Sequence, residues 1–388
     1  MEISACVKYV GVNDHQVDLF EGQYKVPNGM SYNSYVILDD KIAIMDTVDG
    51  FFTEEWLNNV EQVLDGKMPD YLVIQHMEPD HSASIPAFLK KYPKVTVVST
   101  AKGFQFMEQF FPEFFAEQGL PAEQRIVAAN DGVLELGQHS LHFVYAPMVH
   151  WPEVMMTYEA TEKILFAADG FGKFGALDAE EEWANEARRY YIGIVGKYGP
   201  QVQAVLKKAA GLDIQTICSL HGPVLKENLG FYLEKYDKWS SYQPEESGVV
   251  IAYASVYGNT RNAAEYLADV LQEKGQKTVL YDLARCDKAK AVADAFRYDR
   301  LVLAGITYNG DLFPCMRSYI EGLTERNYQN RKVAIIENGT WAPMAGKLIL
   351  GMFEKSKNLT FTETTVSIKS AMNAQNKDEI GKLAEELC

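Results

Sequence analysis

Hydrophobic and polar positions fall into two different textures along the chain. In the first part, short β-type runs alternate with a few helices. KIAIMDTVDG (residues 41–50) reads as a strand entering a turn, and the apolar run Tyr71–Gln75 stops at the polar stretch HMEPDH. SASIPAFLKKY (residues 82–92) carries helical spacing, and VTVVST (residues 95–100) is again a strand. LHFVYAP, VMMTYEA and KILFAAD follow closely, the last two joined at Thr161–Glu162, and TICSL ends at His221. Hairpins mixed with helices predict an α/β sandwich, not a purely parallel sheet.

Near residue 240 the texture changes. KWSSYQPEESG (residues 238–248) is polar and carries Pro244 and Gly248, the composition of an interdomain linker. Beyond it, GVVIAYA, KTVLYDL, RLVLAGI, KVAIIEN and TVSIKS alternate with helical stretches, the first helix starting at about Thr260. This alternation predicts a doubly wound, five-stranded parallel sheet of flavodoxin-like order. The expected division is residues 1–245 and 246–388.

The chain's 388 residues fit two domains at roughly 150 residues each. Hydrophobic residues make up 47% and charged residues 23%, which excludes a disordered chain. With 37 Lys+Arg against 53 Asp+Glu, the formal charge is −16, a balance that repels phosphate backbones and argues against nucleic acid as a partner. Five scattered cysteines do not form a disulfide framework. No signal peptide and no membrane-length apolar run are legible, so a cytoplasmic protein without a membrane partner is expected.

The densest chemistry is His76-Met-Glu78-Pro-Asp80-His81, directly after a strand. In an extended segment, residues two apart project to one side, so His76, Glu78 and Asp80 are expected to converge, with His81 turning in as a helix begins. The spacing differs from the helical HExxH zinc pattern, whose histidines are four apart. His150, Asp169 and His221 each sit where a strand runs out into a loop, and they join the candidate ligands. Four imidazoles and three carboxylates suit two hard cations, iron or manganese, about 3.5–4 Å apart, with Asp169 as the expected bridge. His15, His139 and His142 lack such context and receive no role.

A second constellation follows GVVIAYA. Ser255-Val256-Tyr257-Gly258-Asn259-Thr260 opens a helix whose backbone N–H groups suit a phosphate. The loop has neither the P-loop lysine nor GxGxxG, so a monophosphate fits better than a triphosphate or dinucleotide. Thr307-Tyr308-Asn309-Gly310 and Asn338-Gly339-Thr340-Trp341 end later strands of the same sheet, and aromatic residues among small ones can stack on a flat ring.

HxExDH with a later His, an Asp and a His before Gly-Pro resembles the metallo-β-lactamase superfamily. Glu78 stands where its hydrolases usually carry His. That substitution, with PNGMSYNSYVI (residues 27–37), VHWP and ADGFGKFG (residues 168–175), resembles the flavodiiron proteins, and the three loops of the second part resemble flavodoxin. Ile306 and ENGTW depart from the usual flavodoxin pattern. The resemblance covers essentially the whole chain. It implies a metallo-β-lactamase-like αββα sandwich holding two iron ions, followed by a flavodoxin-like domain holding FMN. It also implies reduction of dioxygen to water or of nitric oxide to nitrous oxide, in a head-to-tail homodimer. A reduced flavin and a diferrous pair hold two electrons each, matching a four-electron reduction. No CxxC pairs are present, so electrons are expected from a separate donor, a rubredoxin-like protein or a reduced deazaflavin. The competing readings are a binuclear zinc hydrolase with a flavodoxin-like appendage, which Glu78 opposes, and a pure electron carrier, which the seven clustered ligands oppose.

Overall fold

The computed structural model of the chain describes residues 2–388. These form two compact units. One runs to Tyr191 and takes in Pro200–Tyr236, and the other comprises Ile192–Gly199 and Asp237–Cys388.

The first unit is a two-sheet sandwich. In one sheet, Val7–Tyr9, Tyr35–Ile37 and Ala43–Met45 pair antiparallel, and Tyr71–Val73, Thr96–Ser99 and Arg125–Val127 continue from Ala43–Met45 in parallel. In the other, Val133–Glu135, Ser140–Tyr145, Met155–Glu159 and Ile164–Phe166 form an antiparallel meander, and Thr216–Cys218 adds to it in parallel. Val7, Ile37, Met45, Val73 and Val98 from one sheet and Leu141, Phe143, Met155, Ile164 and Phe166 from the other share a single apolar cluster. Alternate residues of each strand therefore supply the layer between the sheets. Helix Thr53–Leu64 buries Trp56, Val60 and Leu64, a stripe at four-residue spacing, and Trp56 packs on Phe88 of helix Ile85–Lys91 with ring centroids 5.4 Å apart.

The second unit carries five parallel strands in the order Thr278–Asp282, Glu246–Tyr253, Tyr298–Tyr308, Arg331–Asn338, Leu359–Ile368. This is the flavodoxin order expected from the alternating pattern. One face packs Val249, Ile251, Val302, Ala334, Ile336 and Val366 against Ala264, Leu267, Leu271, Ile380 and Leu383 of helices Asn259–Glu273 and Ala374–Glu386. The alternating residues Val250, Ala252, Leu301, Leu303 and Ile335 are also buried, so both faces are covered, as a parallel sheet requires.

The expected linker at residues 238–248 needs correction. Helix Leu229–Ser240 runs into it and strand Glu246–Tyr253 begins inside it, while Trp239 and Tyr242 are buried. Arg331 explains why this polar stretch is ordered. Its guanidinium donates to the Tyr242 and Tyr298 carbonyls at 2.7 Å, and also to the carbonyls of Gln329 and Phe296. Among the described residues, no helix is long and apolar enough to cross a membrane.

Candidate metal centre and flavin loops

In the first unit, the ends of four strands deliver seven side chains to one place, in two groups. His76 Nε2, Glu78 Oε2 and His150 Nε2 lie 3.0–3.3 Å from one another. His81 Nε2, His221 Nε2 and Asp80 Oδ2 lie 3.1–3.4 Å apart. Asp169 faces both groups. Its Oδ2 is 3.0 Å from His150 and 3.4 Å from His76, and its Oδ1 is 3.3 Å from His81 and 4.0 Å from His221.

The local route differs from the extended segment expected at HMEPDH. His76 lies three residues beyond strand Tyr71–Val73, and Glu78 is the N-cap of helix Pro79–Ser82 (φ −59°, ψ 140°), so Asp80 and His81 stand in its first turn. Pro79 starts that helix because the first helical position lacks an internal partner for an N–H. The helical turn carries Asp80 and His81 to the second group while His76 and Glu78 stay with the first.

These separations fit a cation at the middle of each group. Ligand atoms about 2.0–2.2 Å from a common centre lie roughly 3.0–3.6 Å from one another. Both carboxyl oxygens of Asp80 and both of Asp169 are buried and make no hydrogen bond. Uncompensated buried oxygens of this kind are costly unless a cation meets them. The charge balance points the same way. Burial opposes ionisation of Asp169, but the neighbouring His76, His150 and His81 outweigh it and hold the carboxyl well below the usual range. Burial likewise opposes charge on His150, yet Asp169 and Glu78 push it up to about 9. His76, His81 and His150 thus stand among oxygens that favour a positive charge at the ring nitrogen.

Residues outside the sequence-read set orient the candidate ligands. His76 Nδ1 lies 2.8 Å from Glu153 Oε1, which also accepts from Met77 N at 3.0 Å. His221 Nδ1 donates to the Ser31 carbonyl at 2.7 Å. Such partners leave Nε2 with its lone pair turned to the centre. Asp46, in the left-handed region at φ 54°, accepts from Gln75 N and Nε2 at 2.8 and 2.9 Å and fixes the chain just before His76. Asn33 Nδ2 donates to Ser219 and Gly222 carbonyls at 2.9 and 2.8 Å, and Ser31 Oγ accepts from Gly222 N at 2.8 Å. The stretch at residues 27–37 therefore builds the cradle of the His221 loop. Gly222 (φ +79°) has no room for a side chain, since a Cβ would meet Lys173 Cγ at 2.9 Å. The rings of Phe20, Tyr190 and Tyr32 stand 5.4–6.0 Å from His221 and wall that side with apolar surface.

In the second unit, the three loops read from sequence leave the carboxyl ends of neighbouring strands, the usual place for a ligand at the switch point of an open sheet. Gly258 adopts φ 92°, and its N donates to Ser255 Oγ at 3.1 Å before the helix opens at Asn259. Tyr257 and Trp341 are strongly exposed, at 94% and 81%, and Tyr308 and Val256 are about half exposed. Exposed aromatic rings at a strand-end crevice are available to stack on a flat ligand. Asn309 and Gly310 both have positive φ and turn the chain tightly after Tyr308.

Two of the residues spend their side chains within the scaffold. Thr307 Oγ1 accepts from Met344 N and Ala345 N at 2.8 and 3.1 Å. Asn338 Nδ2 donates to the Ser370 carbonyl and to Thr260 Oγ1, and its Oδ1 accepts from Ser370 N. Thr340 and Ser370 hydroxyls lie 2.9 Å apart, which leaves Gly339 on the backbone turn between them. Ser370, after the last strand, is thus a fourth contributor that no local motif marked.

This fold and these sites define a metallo-β-lactamase-like sandwich joined to a flavodoxin-like unit. Residues 30–222 match the model of the ODP family beta lactamase, and residues 250–358 match that of a flavodoxin domain. The anaerobic nitric oxide reductase flavorubredoxin of Vibrio vulnificus is 27% identical over 96% of this chain and 75% of its own. The diflavin flavoprotein A 1 of Synechocystis is 33% identical over 71% of this chain, which spans about half (48%) of that longer protein. The crystal structure of the flavodiiron protein from Giardia intestinalis superposes with a TM-score of 0.90 at 25% identity, covering 100% of this chain and 96% of that one. The chain belongs to the flavodiiron protein family and is an oxidoreductase.

Proposed function

We propose that the first unit holds two iron ions, that the second holds FMN, and that the protein reduces dioxygen to water or nitric oxide to nitrous oxide. The observation that carries this reading is the placement of Asp169, one oxygen toward each of two three-residue groups. A single carboxylate shared between two otherwise complete ligand sets suits a metal pair better than two separate ions. Glu78 completes the first set with a hard oxygen where a nitrogen would favour zinc, so iron is the assigned metal.

When bound, the iron pair would supply redox chemistry, and FMN would supply a store of two electrons. The rest is the work of this chain. His76, Glu78 and His150 hold one position, and Asp80, His81 and His221 hold the other. Glu153 and the Ser31 carbonyl keep two imidazoles in the tautomer that presents Nε2. Phe20, Tyr32 and Tyr190 limit water around the second group. In the second unit, the N–H groups of Ser255–Thr260 and the N-terminus of helix Asn259–Glu273 would hold the phosphate of FMN, Tyr257, Tyr308 and Trp341 would offer rings to stack on its flat ring system, and Gly310 and Gly339 would let backbone approach it. The donor is a separate rubredoxin-like protein or reduced deazaflavin. A head-to-tail homodimer would set the flavin of one subunit beside the metal pair of its partner.

The test is gas consumption by the purified, iron- and flavin-loaded protein reduced anaerobically by an artificial donor. Uptake of dioxygen or nitric oxide with four electrons used per dioxygen supports the reading. Esterase or lactamase turnover by a zinc-loaded protein that consumes neither gas contradicts it.

A further inference from the structure

The metal pair sits where strands Ser140–Tyr145 and Ile164–Phe166 end. A different cluster lies where the same strands begin. His139 immediately precedes the first of them, Glu162 lies in the turn before the second, and Cys6 precedes strand Val7–Tyr9 of the facing sheet. One ligand atom from each of Cys6, His139 and Glu162 lies within 4.8 Å of the other two. Glu162 and Asp169 are seven positions apart, roughly 20 Å of extended chain.

We propose that Cys6, His139 and Glu162 form a mononuclear zinc site, separate from the metal pair, that clips together the edges of the two sheets. His139, given no role by its sequence context, is oriented as a ligand. Asp39 Oδ2 accepts from both His139 N and His139 Nδ1, at 2.7 and 2.8 Å, which leaves Nε2 as the free lone pair. That Nε2 is 3.8 Å from Glu162 Oε1, a gap a metal ion closes with a small side-chain adjustment. Glu162 Oε2 is buried without a hydrogen-bond partner. The turn around Glu162 is preset, since Glu159 accepts from Thr161 N and Glu162 N at 2.8 and 2.6 Å.

The donor set selects the metal. A thiolate, an imidazole and a carboxylate are a mixed soft and hard set that suits zinc, with a water in the fourth, open position. The field is negative, because Glu162, Asp39 and Glu159 all act on the Cys6 thiol and only Lys8 opposes them. Burial and those carboxylates push the thiol pKa up, so it keeps its proton until zinc displaces it: one Zn–S bond forms, one S–H bond breaks and one proton leaves to solvent.

Zinc K-edge absorption on the iron- and flavin-loaded protein with one added equivalent of Zn2+ tests this directly, because none of the seven ligands proposed for the metal pair is a cysteine. The expected result is one sulfur at about 2.3 Å with the remaining neighbours nitrogen or oxygen. In C6S the sulfur shell disappears while iron content and flavin stay. Asp39→Asn, which loosens the hold on His139 Nδ1, weakens zinc roughly 10–100-fold. Zinc also raises the thermal midpoint of the wild type and not of C6S. A zinc spectrum with no sulfur neighbour, or a sulfur shell that survives in C6S, overturns the proposal.

Discussion

Glu153 and His76 stand 77 residues apart in sequence, yet a carboxylate oxygen of one lies 2.8 Å from the Nδ1 of the other, both fully buried. The same Glu153 oxygen also accepts from Met77 N. The imidazole is therefore held by its rear nitrogen while the front one faces Glu78, His150 and Asp169. Glu153→Gln keeps the shape but removes the charge that makes the ring a strong donor. Iron affinity should fall roughly 10–100-fold with FMN unchanged, as read by chelator competition. Unaltered iron affinity would show that Glu153 only packs.

Trp341 is 81% exposed at the third strand-end loop, so its ring contributes little to the fold. Trp341→Ala should weaken FMN by about 2- to 13-fold, the equivalent of roughly 0.5–1.5 kcal/mol for one aromatic contact. Flavin fluorescence titration measures it. Iron content should not change, since the metal ligands belong to the other unit. A variant with wild-type flavin affinity would remove Trp341 from the flavin site.

Those two sites were not equally legible. HxExDH pointed to a candidate metal site because four side chains able to ligate within six residues have few other uses, and the strand-end positions of His150, Asp169 and His221 followed from pattern alone. The flavodoxin order was visible because alternating strands and helices leave few sheet arrangements. What escaped was the division of HMEPDH between the chain leaving the strand and a helix, which depends on Pro79 starting a turn. Glu153 and Ser370 also escaped, as did the roles of Ser31 and Asn33 inside the stretch at residues 27–37, because each acts through a hydrogen bond closed by the fold. The polar stretch at residues 238–248 resembled a linker because its partner, the Arg331 guanidinium, is nearly ninety residues away.

Arg331 gives a prediction of its own. Its buried guanidinium serves five backbone carbonyls, and Arg331→Met would remove that donor from all of them. The cost of unsatisfied buried acceptors is about 1–3 kcal/mol each before relaxation, so a loss of roughly 3 kcal/mol is expected from the flavin unit. Calorimetry should show a lowered transition for that unit. A change under about 1 kcal/mol would mean that water replaces the guanidinium.

Glu246 couples stability to pH. Its partial burial raises the carboxyl pKa, but Lys277 Nζ and Arg297 Nε, both at 2.7 Å, outweigh that and leave it lowered. A depressed folded pKa gives stability that is present above the unfolded value, about 4.3, and lost as pH falls through the folded one. The difference in thermal midpoint between wild type and Glu246→Gln should therefore be full near neutrality and vanish in acid. A difference independent of pH would assign the effect to packing.

The central claim is that Asp169 joins two metal positions. Metal and flavin analysis of purified wild type and Asp169→Asn tests it most directly. Wild type should hold two irons and one FMN per chain, and the variant should lose both irons together while keeping its FMN. Zinc in place of iron in the wild type, or a variant that retains its full iron, would contradict the account.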